Sequence, residues 1–184
     1  MRKIIVSNYV SLDGFFAGPN EEIDWFVWDE ETEEYSKELA ASIDTILFGR
    51  VTYELMAGYW PTVTTEDTII TDYMNHSPKI VFSRTLEKAD WNNTRLLREI
   101  NPEQILGMKE QPGKDMVIYG SGSLVSTLAQ SGLIDDYRIL VNPVVLGSGK
   151  HLFAGLKEKL KLNLLRTKTF HCGVVLLHYG LETK

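Results

Sequence analysis

An α/β domain whose early strands are joined by helices, finished by an antiparallel C-terminal part, is the fold class this chain predicts. Three observations lead there. Two short apolar runs, Ile46-Leu47-Phe48 and Met116-Val117-Ile118-Tyr119, each end at a glycine, and a helical pattern begins at once. Between Lys3 and Gln130, β-rich runs alternate with stretches of helical period. From Tyr137 onward, strand-like runs follow one another with no long helix between them. No repeat, low-complexity tract or linker interrupts the chain, so residues 1–184 read as a single domain with room for a full core and a cleft.

Each element has its own local reason. Lys3 to Val10 is rich in β-branched residues and closes at Ser11-Leu12-Asp13-Gly14, which predicts a first strand. Ala17-Gly18-Pro19-Asn20 is loop chemistry. A helix is predicted from about Asp29 to Ser42: Glu30, Glu31 and Glu33 suit its positive end, and Tyr35, Leu39 and Ile43 form one stripe. Thr45 to Phe48 reads as a strand, followed by a helix from Arg50 to about Met56. Thr65 to Asn75 reads as helical and ends before Ser77-Pro78. Lys79 to Ser83 is the next strand, and Arg95 to Leu97 a short one. Asn101 and Pro102 mark a helix start as N-cap and first helical residue. Asp115 to Tyr119 is predicted as a strand and Ser123 to Gln130 as a helix stopped at Ser131-Gly132. Tyr137 to Val145, Lys161 to Phe170 and Val174 to Tyr179 are the final strands.

Composition narrows the function classes. A net charge of -6 and the absence of a Lys/Arg cluster argue against a nucleic-acid partner. Cys172 is the single cysteine, so no internal disulfide or CxxC knuckle can form, and Phe170 and Val174 beside it predict a buried thiol. His76, His151, His171 and His178 lack ligand spacing, so no metal site is expected. Ser7, Asn8 and Asp13 break the apolar N-terminal run before it reaches signal-peptide form, and no run has membrane-spanning length. The expectation is a cytoplasmic protein.

The two junctions carry the functional reading. A helix N-terminus has unpaired N–H groups and partial positive charge, and glycine lets a ligand approach the backbone. The first junction, Phe48-Gly49-Arg50-Val51-Thr52, carries an arginine; the second, Tyr119-Gly120-Ser121-Gly122-Ser123-Leu124, carries two serines. Together they point to a phosphate-bearing nucleotide cofactor. A Rossmann domain is disfavoured, because the Gly-x-Gly comes late and Val125 stands where the third glycine belongs.

At this point five segments resemble the dihydrofolate reductase-like superfamily, specifically bacterial proteins similar to the C-terminal reductase domain of bifunctional riboflavin-biosynthesis enzymes. They are Ser11 to Ala17, Phe48 to Glu54, Val81 to Thr85, Gly120 to Leu124 and Leu140 to Gly149, in that order over nearly the whole chain. The resemblance implies a mostly parallel, twisted sheet flanked by helices, with NADPH across the strand ends. It places Gly49, Arg50, Val51 and Thr52 on the adenosine side of the cofactor, together with Ser83 and Arg84. It places Gly120, Ser121, Gly122, Ser123 and Leu124 under the pyrophosphate. Arginines that can grip a 2′-phosphate favour NADPH over NADH.

The implied chemistry is hydride transfer to a small heterocyclic, pteridine- or pyrimidine-like, or carbonyl substrate, as in 5-amino-6-(5-phosphoribosylamino)uracil reductase. Asp13, in a turn at the first strand's end, is the preferred candidate for a catalytic acid, although a turn carboxylate bonded to its own backbone explains it equally well. Asp24, Asp29 and Glu30 are further candidates, and Asp29 is also a natural N-cap. Gly14, Trp25 and Trp60 are expected to touch substrate. The chain lacks a deaminase zinc signature, and no Lys/Arg group beyond the cofactor positions marks a substrate-phosphate pocket. Two other readings stay open: a non-catalytic nucleotide- or ligand-binding protein, and a structural homodimer module that uses its hydrophobic C-terminal strands. Val174 to Leu177 fits a homodimer interface or a buried central strand equally well.

Overall fold

Ile4–Val10 forms β1 at the centre of the molecule, with Ile4, Ile5 and Val6 wholly excluded from solvent. Residues on both faces of β1 are apolar, as a strand covered on two sides requires. A computed structural model describes residues 1–182. After β1 come β2 (Phe15–Ala17), α1 (Glu30–Ser42), β3 (Ile43–Gly49), α2 (Arg50–Tyr59), α3 (Thr68–His76), β4 (Lys79–Phe82) and β5 (Thr94–Leu97). They are followed by α4 (Pro102–Glu110), β6 (Asp115–Ile118), α5 (Gly122–Gln130), β7 (Asp136–Val141), β8 (Lys150–His151), β9 (Leu162–Thr169) and β10 (Val175–Leu181). The main sheet has the order β5-β4-β3-β6-β1-β7-β10-β9. Pairing is parallel from β5 through β7, and β10 runs antiparallel to both of its neighbours.

The sheet divides the core. Ile4, Val6 and Val10 pack with Met116, Ile118, Leu124 and Leu128 on the face covered by α4 and α5. Ile5 packs with Leu39, Ile46, Phe48 and Val117 on the face covered by α1, α2 and α3. Three helices start at side-chain caps. Asp29 and Thr32 form a capping box on α1, Asp67 accepts the Ile69 and Ile70 N–H groups of α3, and Asn101 caps α4.

Where the structure departs from expectation, the causes are local. The Asp67 cap delays the helix expected at Thr65 until Thr68. The strand expected to reach Val145 stops at Val141, because Pro143 has no N–H and the Asn142 N–H turns to the Val10 carbonyl (2.7 Å). The pair β2–β8 had no sequence signal, being two and three residues long. Val174 and Leu176 are buried and β10 lies between β7 and β9, so that apolar run is an interior strand. Among the C-terminal strands, the exposed apolar side chains are those of edge strand β9, at Leu164 (56% exposed) and Leu165 (57%). No helix among the described residues is long and apolar enough to cross a membrane.

Lys79 is buried where β4 begins. Its ammonium donates to the carbonyls of Ser77 (2.8 Å) and Asn75 (3.2 Å) and lies 4.5 Å from the Trp91 ring centre. Burial without a carboxylate pulls its pKa from the ordinary 10.5 to about 8. The folded state therefore releases this proton first, and stability is expected to rise between pH 8 and 10.5. The contribution is lost again as pH falls through 8. Chemical denaturation across that range should show the rise in wild type and a flatter profile in Lys79→Met.

Candidate functional site

A cleft of about 1900 Å³ opens over the C-terminal ends of β1, β3, β4 and β6. This is where open parallel sheets take ligands, since the strand ends and following helix starts converge there. Its walls include α1, α2, α3 and the β8 segment.

The two glycine junctions meet in this cleft and are stitched together. The Gly49 N–H donates to Ser121 Oγ (2.7 Å), and the Ser121 N–H donates to Thr52 Oγ1 (3.1 Å). The two hydroxyls also bond to each other at 3.1 Å. Ser121 adopts a left-handed conformation (φ 61°) as the residue before α5, so its hydroxyl caps no N–H of its own helix. Gly49 likewise offers α2 no side-chain cap. Hence α2 and α5, which face the cleft side by side, are the helices without side-chain caps, whereas α1, α3 and α4 have them. Their first-turn N–H groups are left for a ligand.

Gly120 is required by space as well as by conformation. At φ +62°, an added Cβ would lie 2.5 Å from Thr52 Oγ1. At Gly122 it would lie 3.0 Å from the His151 carbonyl oxygen. From β1, Asn8 reaches over to hold the Gly120 peptide, accepting its N–H at 2.5 Å and donating to its carbonyl at 3.5 Å. Asn8 escaped the sequence reading. Its one signal is an amide interrupting the apolar run of a central strand.

Gly49, Arg50, Val51, Thr52, Ser83, Arg84, Gly120, Ser121, Gly122, Ser123 and Leu124 all line the cleft. They do so in different ways. Thr52 and Ser121 spend their hydroxyls on the lock between the junctions, and Leu124 is buried in the core. Ser83 Oγ accepts the Thr85 and Leu86 N–H groups and so shapes the turn that presents Arg84 to solvent. Arg50 is nearly half exposed and bridges to Glu54 at 2.8 Å, a contact weak enough for an anion to replace.

The substrate-side expectations fare differently. Trp60 lines the cleft; Gly14 and Trp25 do not. Trp25 donates its indole N–H to the Glu22 carbonyl (3.2 Å) and packs edge-on against Phe26. Phe26 and Trp28 occupy the wall instead, and both contact the Tyr9 ring, with centroids at 5.0 and 4.8 Å.

Asp13 lies outside the lining, because the turn after β1 carries it toward the loop following β7. There its carboxylate accepts the N–H groups of Leu146 (3.1 Å) and Gly147 (2.7 Å). The Ser11 hydroxyl and these two N–H groups hold its pKa down at about 2, so it carries no proton to give near neutrality. Asp29 is at the cleft edge but serves structure: Thr32 and Cys172 donate N–H groups to it, and the Thr32 bond leads in lowering its pKa to about 2. Cys172 is half-buried beside it, and burial pushes its thiol pKa up. Asp24 and Glu30 line the rim, exposed.

Four tyrosines complete the floor: Tyr9 from β1, Tyr35 from α1, Tyr73 from α3 and Tyr119 just after β6. Tyr73 and Tyr119 bring their hydroxyls to 3.5 Å. The hydroxyls of Tyr9 and Tyr35 are buried and find no partner among the described residues. Burial raises the pKa of all four, that of Tyr119 to about 12. None was legible from the sequence, since their spacing is that of four separate elements.

The family model for the RibD C-terminal domain matches residues 2–176. YyaP, an uncharacterized protein of Bacillus subtilis (strain 168), is 38% identical over 184 residues, covering 97% of this chain and 94% of its own. A crystal structure ascribed to a riboflavin biosynthesis protein of Shewanella sp. PV-4 superposes with a TM-score of 0.80 at 19% identity, covering 98% of this chain and 99% of that one. Dihydrofolate reductase from Enterococcus faecalis, complexed with NADP(H), superposes with a TM-score of 0.66 at 14% identity over 98% and 97% of the two chains. The fold is thus dihydrofolate reductase-like, and the chain belongs to the RibD C-terminal domain family.

Proposed function

We propose that this protein is an NADPH-dependent reductase of a small heterocyclic or carbonyl substrate. The observation that supports it most is the pair of adjacent, uncapped helix N-termini, α2 and α5, whose flanking hydroxyls are occupied with each other. N–H groups so arranged suit a pyrophosphate, and the backbone at Gly120 leaves no room for a side chain between it and Thr52. Arg50 and Arg84, both exposed at the cleft mouth, would hold the 2′-phosphate. When bound, the dihydronicotinamide supplies a hydride to an electrophilic carbon, and a proton goes to the attached heteroatom. The chain's own part is to hold the cofactor's anionic groups at the strand ends and to offer an aromatic floor beside them.

Titration of the protein with NADPH and NADH, followed by tryptophan fluorescence, tests this reading. NADPH should bind about tenfold or more tightly than NADH, and Arg50→Ala should lose most of that preference. No binding of either nucleotide would leave a family fold whose cleft serves another ligand.

We also infer a homodimer formed through β9, supported by its exposed Leu164 and Leu165 on an unpaired strand edge. Light scattering should give twice the chain mass for wild type and the chain mass for Leu164→Lys/Leu165→Lys. A monomeric wild type would contradict it.

A further inference from the structure

We propose that Arg98 is a positioning residue: it holds the turn that presents Arg84 and so sets the preference for a cofactor bearing a 2′-phosphate. This rests on the reductase reading and names a residue that governs its cofactor choice. The turn follows β4. Residues 83–93 belong to no helix or strand, and Arg84 is exposed within them at the cleft. Among the described residues, the arginines that bridge to carboxylates are Arg2, Arg50 and Arg138, so Arg84 is left without an ion pair. Arg50, by contrast, is fixed at the start of α2 and bridged to Glu54. A guanidinium carried on an irregular segment grips an anion well when the backbone beneath it is already ordered, because ordering it on binding costs conformational entropy.

Arg98 supplies that order. It stands directly after β5, which runs parallel to β4, and its side chain crosses to the carbonyls of the neighbouring turn. Its Nη1 donates to the carbonyl oxygens of Ser83 (3.5 Å) and Leu86, and its Nη2 donates to that of Glu87 (3.3 Å). The N–H side of the same turn is held separately. Ser83 Oγ accepts the Thr85 and Leu86 N–H groups, and the Ser83 N–H donates to the Leu97 carbonyl (2.9 Å). The backbone on either side of Arg84 is therefore pinned, while its own side chain is not. Arg98 does not line the cleft, although Arg84, Thr85 and Ile100 do, so it acts through the turn rather than on the ligand. Reaching the carbonyls of Ser83, Leu86 and Glu87 at once takes a planar fork with fixed donor directions, which a lysine ammonium lacks.

The test measures Kd for NADPH and for NADH on the full chain, first as wild type. Arg98→Met, Arg98→Lys and Arg84→Ala follow, together with each Arg98 variant in the Arg84→Ala background, and thermal denaturation establishes that each is folded. Arg98→Met should weaken NADPH about three- to tenfold and leave NADH unchanged. Arg98→Lys keeps the charge and loses the fork, so it should weaken NADPH nearly as much. In the Arg84→Ala background neither Arg98 variant should cost anything further, because the effect runs through Arg84. Should Arg98→Met fail to fold, Arg98→Lys carries the same comparison. Full NADPH affinity in Arg98→Lys, equal weakening of the two nucleotides, or an undiminished Arg98 effect in the absence of Arg84 would each overturn the assignment. A wild type that binds neither nucleotide, or binds both equally, would instead strike the cofactor reading and this assignment with it. The wild-type measurement distinguishes the two failures.

Discussion

Gly120→Ala is expected to lower stability by about 3 kcal/mol and the melting temperature by roughly 10 °C. Two costs add. An alanine at φ +62° is disfavoured, and its Cβ would sit 2.5 Å from Thr52 Oγ1 and 2.8 Å from Thr52 Cγ2. Thr52 cannot simply swing aside, because its hydroxyl takes the Ser121 N–H and pairs with Ser121 Oγ. The lock between the two helix starts would open, so nucleotide affinity should fall more than tenfold. Gly132→Ala is the control. Its φ is +66° with nothing within 4 Å of the added Cβ, so it carries the conformational cost alone, about 1 kcal/mol. Equal effects in thermal denaturation of the two variants would show that the close approach at Gly120 does not matter.

Asn8→Leu is expected to cost about 2 kcal/mol, although leucine has the same number of side-chain heavy atoms and the same branching. Asn8 is 6% exposed, and its amide takes the Gly120 N–H. Replacing it strands that donor beside an apolar side chain, and the desolvation penalty is not recovered. Nucleotide binding should weaken in parallel, since β1 would no longer position the α5 junction. Urea unfolding combined with nucleotide titration checks both. A stability change below about 0.5 kcal/mol would mean that the Gly120 peptide needs no support from β1.

The end of the cleft built by the two glycine junctions was legible because its parts are local in sequence. A strand, a glycine and a helix start occupy consecutive residues at Gly49 and again at Gly120, and every residue expected there lines the cleft. What the sequence did not disclose is that Thr52 and Ser121 bond to each other, a contact between junctions far apart in the chain. The tyrosine-lined end was opaque for the same reason: β1, α1, α3 and the end of β6 each contribute one phenol. Asp13 misled because a turn carboxylate has the same local signature whether it faces a cleft or a distant loop. Its partners, Leu146 and Gly147, come from beyond β7. Trp25 was expected at the cleft, yet Trp28 lines it, because this segment has no helix or strand period and nothing in the spacing fixes which ring faces inward.

Backbone amide shifts on an isotope-labelled sample titrated with NADP+ are the first data to collect. The amides of Arg50, Val51 and Thr52 at the start of α2, and of Gly122, Ser123 and Leu124 at the start of α5, should move together and saturably. Those at the capped starts of α3 and α4 should stay still, because Asp67 and Asn101 already occupy them. If NADP+ saturates the protein and leaves the α2 and α5 amides unmoved, or does not bind at all, the paired helix starts are not a nucleotide cradle.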